Sequence, residues 1–144
     1  MASLIGMEIK VNTALARDAP ERFKKLMVKA VQRVVESGEQ MLDERFRPRP
    51  AGVYLSVGEA KRGAASTGHY RRNIQGQASQ LQGRIHDSRV IYGPWLEGVG
   101  SRNAVTRFKG YHVWRNVRQD LQIEARAIAK KTVTEFIRDL KRAA

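Results

Sequence analysis

The sequence predicts an α+β domain, a small and mainly antiparallel sheet with two long amphipathic helices packed on one face. Three observations predict it. Apolar residues recur at helical spacing from Phe23 to Leu42 and again from Val113 to Leu140. Short alternating or glycine-broken segments stand before and between these stretches. Helices with one apolar stripe and strands with one apolar face bury both by packing on each other.

The elements follow in order. In "MEIKVNTAL", Met7, Ile9 and Val11 alternate with polar residues, which predicts a short strand. Asp18 and Glu21 have capping-box spacing, and Pro20 suits a first helical turn, where no N–H is needed. Phe23, Leu26, Met27, Ala30, Val31, Val34, Gly38, Met41 and Leu42 then mark a helix of about seven turns. "RPRP" ends it, because a proline disfavours helix in the residue before it.

Residues 48–68 combine a short run that could be a strand, "VYLSV", with a glycine- and alanine-rich stretch, and are expected to form either a flexible loop or a disordered arm that orders on assembly. Tyr70 to Tyr92 offers two or three short strands, broken at Gly76 and Gly83. "VIYGP" is expected to end a strand at a Gly-Pro bend, "PWLEGVG" to hold one helical turn, and "SRNAVTRFKG" to be a basic loop. From about Tyr111 the chain reads as helix, with Val113, Val117, Leu121, Ala125, Ile128, Val133, Phe136, Ile137 and Leu140 on one stripe. No repeat or linker divides the 144 residues, so residues 1–144 are expected to be a single domain.

Composition narrows the function. There is no cysteine, which excludes disulfides and cysteine-based zinc sites. No long apolar run predicts a membrane span, and the start lacks the pattern of a secretory signal. The net charge is +13, and it is concentrated: residues 44–118 hold 14 Lys/Arg against 4 Asp/Glu. Such a field attracts polyanions or an acidic protein neighbour.

No motif predicts chemistry. His69, His86 and His112 are far apart, and none has a second histidine three or four residues on, so no metal site is expected. Ser66, Ser79, Ser88 and Ser101 lack a Gly-x-Ser-x-Gly setting. The glycines of "YGPWLEGVGS" have no following lysine for a phosphate loop. Glu97 beside Trp95 could be a catalytic acid only with a partner such as Asp87; a capping or interface role is the simpler reading. The expectation is a protein that is not an enzyme and has no cofactor.

"TGHYRRNI" (Thr67–Ile74), two short strand-like segments, "VIYGPWLEGVGS" (Val90–Ser101), a basic loop and a long final helix follow one another in this order. This succession resembles the tail-completion or neck proteins of long-tailed bacteriophages, of the minor tail protein Z type. Thr67, Gly68, Tyr70 and Arg71 to Ile74 match that family's segment opening the sheet. Tyr92, Trp95, Glu97, Gly98 and Gly100 match the segment closing it. Tyr70 stands where the family usually has leucine, and "YHVWRNV" replaces its usual proline-bounded approach to the last helix.

The resemblance implies a structural virion protein, made in the host cytoplasm and located at the tail or neck. It would form a ring of identical subunits, a hexamer by family analogy. The ring would complete the tail, join it to the head connector and tail tube or terminator proteins, and surround the DNA channel. Trp95, Leu96, Glu97 and Trp114 are the expected subunit or partner contacts. Arg47, Arg49, Lys61, Arg62, Arg102, Arg107 and Lys109 are expected to face DNA or a neighbour. The alternative is a sequence-independent nucleic-acid-binding protein, whose binding would weaken steeply with salt.

Overall fold

The structure is a computed structural model and describes residues 4–11, 17–46 and 68–144. Its elements are β1 (Gly6–Lys10), α1 (Glu21–Arg45), α2 (His69–Arg72), β2 (Gln75–Ser79), β3 (Gln82–His86), α3 (Gly93–Glu97), α4 (Arg102–Thr106) and α5 (Val113–Ala143). This is the expected α+β architecture, with a three-stranded antiparallel sheet in the order β1-β3-β2. The expected loop at 48–68 lies outside the described residues except for Gly68.

β2 and β3 form a hairpin whose turn places Gln80 at φ 50°. β3 then pairs with β1 from Gly6 opposite His86 to Lys10 opposite Gln82. The sheet has two unlike faces because side chains alternate across a strand. Met7, Gly83 and Ile85 are buried toward the helices. Glu8, Lys10, Gln77, Gln82 and Arg84 are exposed on the other face.

α1 lies against all three strands, and α5 lies antiparallel to α1. Two ion pairs mark that alignment, Arg45–Asp120 at 3.2 Å at one end and Arg22–Asp139 at 3.5 Å at the other. Both lie at the surface, with Asp139 half-buried, and contribute little to stability. The core does more: Met7, Val34, Val35, Leu42, Ile85, Trp114, Val117 and Leu121 form one buried cluster. Full burial of each such side chain contributes roughly 1.5–3 kcal/mol.

Several sequence expectations need correction. Gly76 and Gly83 lie inside β2 and β3 and do not break them, and Tyr70 belongs to the short helix α2 and not to a strand. The N-cap of α1 is Pro20 and makes no side-chain cap bond, so Asp18 and Glu21 do not form a capping box there. Phe23 and Lys24 donate instead to the Pro20 carbonyl. The stripe of α5 divides: Val117 and Leu121 are core, whereas Val133, Ile137 and Leu140 are 44–50% exposed. Helical periodicity places residues on a face but does not specify what covers it. Finally, Val90 to Tyr92 is a turn and not a strand end, and "SRNAVTRFKG" contains the short helix α4.

Candidate functional site

Four segments converge where the N-terminus of α5 meets the end of β3. Tyr70 on α2, Asp87 just after β3, Glu97 on α3 and Trp114 on α5 are all buried there. The Tyr70 hydroxyl donates to Asp87 Oδ2 at 3.0 Å and accepts from Trp114 Nε1 at 2.9 Å. Asp87 Oδ1 accepts the backbone N–H groups of Ile5 (3.2 Å) and Arg89 (3.0 Å). One carboxylate thus fastens the start of the described chain, the turn after β3 and the α2 tyrosine.

That turn is set by the same group. Ser88 and Arg89 take positive φ values of 55° and 59°, and the chain leaves the sheet at once. It then passes close to Asp87: a Cβ on Gly93 would lie 2.2 Å from Asp87 Oδ2. The glycine of the Gly-Pro pair is therefore a close-approach residue, and Pro94 sits in the first turn of α3, where it loses no needed N–H.

Glu97 ends α3 and reaches the free N–H groups of α5. Its Oε2 accepts from Trp114 N at 2.9 Å and its Oε1 from Arg115 N at 2.8 Å. No side chain at the N-cap itself, His112, does this work. A carboxylate at a helix N-terminus satisfies orphan donors and meets the positive end of the helix dipole. The capping reading of Glu97 is the one its geometry matches.

Burial, with the nearby Asp87 charge acting in the same direction, pushes the Tyr70 phenol well above its ordinary range. It stays a neutral donor, which is the form the Asp87 bond requires. Tyr70 and Trp114 stand between Asp87 and Glu97 in the bonding chain. Both carboxylates are spent on hydrogen bonds that hold the frame.

Trp114 is 1% exposed and belongs to the core, so its expected subunit contact is corrected: it has no surface to offer. Glu97 is likewise buried and committed to α5. Trp95 and Leu96 are half-buried. The Trp95 ring packs on Phe108 with centroids 4.5 Å apart, and its Nε1 donates to Thr106 Oγ1 at 3.0 Å. Phe108 meets Tyr111 edge-on at 5.0 Å. Trp95 therefore braces the arm of residues 99–110.

Asn103, which sequence reasoning missed, fixes the same arm. Its amide donates to the carbonyls of Trp95 (2.8 Å) and Phe108 (2.7 Å), and its Oδ1 accepts from Gly100 N (3.0 Å). The arm closes where Gly98 and Gly110 meet backbone to backbone, both at positive φ. Arg102, Arg107 and Lys109 are exposed on it, as are Val99 and Val105. Arg47, Arg49, Lys61 and Arg62 lie outside the described residues.

Among the described residues, no group of three or more His, Asp or Glu side chains is placed to hold a metal ion. No helix among them is long and apolar enough to cross a membrane. Comparison with protein-family models, curated proteins and solved structures finds no match to this chain.

Proposed function

We propose that this chain is a structural, non-enzymatic virion protein of a long-tailed phage. It acts at the neck or tail end as a ring, a hexamer by analogy, that joins tail to head connector around the DNA channel. The observation that carries the reading is how the candidate residues divide between frame and surface. The two acids that were the candidates for chemistry, Asp87 and Glu97, are consumed internally. What faces solvent is a braced arm bearing Arg102, Arg107 and Lys109 beside Val99 and Val105, the latter two 61% and 84% exposed. Ile91, at 85% exposure, precedes that arm. Exposed apolar side chains among cations suit contact with a protein neighbour, with phosphate-bearing DNA nearby.

In this reading Trp95 and Leu96 support the contact surface from beneath, and the arm makes the contact. The ring needs two different patches of one subunit to meet and close. The test is removal of the chain from an infecting phage. The expected result is full heads and finished tails that fail to join, restored by supplying the chain. Normal joining without it would overturn the proposal.

The charge also favours a second reading, a free sequence-independent nucleic-acid binder, because +13 is a large excess for 144 residues. That reading requires the isolated chain to bind DNA or RNA with an affinity falling steeply as salt rises. Absence of binding at physiological salt would remove it and leave the ring reading intact.

A further inference from the structure

The two edges of the sheet are not equivalent. At the β2 edge, the outward N–H of Gly76 is taken by the Glu39 carboxylate at 2.6 Å, a charge that guards the strand. Among the described residues, no strand pairs with the β1 edge. Ile5 accepts from Asp87 N and Val11 donates to Leu81 O, so the odd-numbered residues of this strand bond to β3. Gly6, Glu8 and Lys10 therefore direct their main-chain groups outward. Arg118 covers the Gly6 carbonyl at 3.0 Å, and among the described residues none bonds the outward groups of Glu8 and Lys10. Beside them runs a groove of about 410 Å³ between β1 and α5, floored by Met7, Ile9, Leu121 and Ala125.

From this edge we infer that a second copy of the chain pairs here, β1 against β1, antiparallel about a two-fold axis at Ile9. The register follows from two independent conditions. Outward residues must pair with outward residues, which matches Glu8 with the partner subunit's Lys10 and Lys10 with the partner subunit's Glu8. The same register sets an acid opposite a base twice on the exposed face. On the helix face it sets Ile9 beside the partner subunit's Ile9, over the apolar groove. A register moved by one residue would break both the bonding parity and the charge match. The sheet would then run unbroken through six strands.

α5 supplies a second line of support. Gln122 lines the β1 groove. Val133 and Leu140 stand about three and five turns further along the same side of the helix. Both are exposed apolar residues, at 44% and 50%. The side of α5 that would face the partner is thus the side carrying uncovered apolar surface. This pairing is isologous and separate from ring closure, so it stands or falls independently of the neck reading.

The test is sedimentation equilibrium of the purified full chain over a wide concentration range at low salt. The wild type is expected to show a reversible doubling of its smallest species. Glu8→Lys and Lys10→Glu each place like charges across the dyad twice, and should each weaken the pairing by about tenfold or more. An equimolar mixture of the two single variants should recover it, as should the double exchange Glu8→Lys/Lys10→Glu. Glu8 and Lys10 are exposed, so folding should survive, and recovery in the mixture would demonstrate that it has. A wild-type chain that stays monomeric, or assembles indifferently to these charges, would overturn the inference and leave the edge to solvent or to a foreign segment.

Discussion

Glu97 accepts the backbone N–H of Trp114 at 2.9 Å and thereby joins the turn of α3 to the first turn of the longest helix. The same Trp114 donates through its indole to Tyr70. Backbone and side chain of one tryptophan, through Tyr70, thus link two acids that lie ten positions apart in sequence. Disturbing any member should unsettle the fold before it alters any surface.

Glu97→Gln is expected to destabilise the chain by about 1–3 kcal/mol. The amide turns a donor toward one of two N–H groups that need an acceptor, and it discards the favourable charge at the helix end. Urea unfolding followed by circular dichroism measures the loss. Any fall in function should track stability and recover at lower temperature. A variant inactive at unchanged stability would return Glu97 to the list of chemical candidates.

Tyr70→Phe should cost about 1–3 kcal/mol, since it leaves Asp87 Oδ2 and Trp114 Nε1 without their shared partner. A double-mutant cycle with Asp87→Asn should show strong coupling, because both changes strike one bonding chain. Additive losses would contradict the network.

The Tyr70 phenol also predicts a pH dependence. Its folded pKa is raised above the unfolded value near 10. Above that pH the unfolded chain releases the proton first, so stability falls as pH rises further. Below it the contribution is fully present. Wild type should therefore lose stability more steeply than Tyr70→Phe across the alkaline range, and absorbance should show one tyrosine ionising only on unfolding. Parallel alkaline curves would remove this assignment.

Asn103→Ala should release the arm while sparing the core. It loses three hydrogen bonds, so a cost of about 1–3 kcal/mol is expected. Hydrogen exchange should quicken in residues 99–110 and hardly change in α1. Gly110→Ala should act at the same place with greater force. Its φ is +85° and the added Cβ would lie 2.3 Å from Gly98 N, so strain of about 2–3 kcal/mol is expected. Wild-type unfolding curves for Gly110→Ala would mean that the two backbones do not meet.

Much of the frame was legible. The stripe from Met27 to Leu42 specifies α1, because helical period is a local property, whereas Gly76 and Gly83 lie inside β2 and β3 and the hairpin turns at Gln80 instead. What escaped was set by contacts distant in sequence. Trp114 reads equally well as core or interface until Tyr70 and Glu97 are seen on either side of it. "VIY" has strand composition, yet the Asp87 carboxylate captures the Arg89 N–H and turns the chain away. Val133, Ile137 and Leu140 continue the apolar period of α5 but stay 44–50% exposed. Asn103 carries no sequence signal apart from its place between two glycine-rich turns.

The most direct test of the neck proposal is electron cryo-microscopy of the mature particle whose genome encodes this chain. The proposal predicts a closed ring of copies at the head–tail junction, with the arm of residues 99–110 against a neighbouring protein or the DNA channel. A particle whose junction is complete without this chain would contradict it.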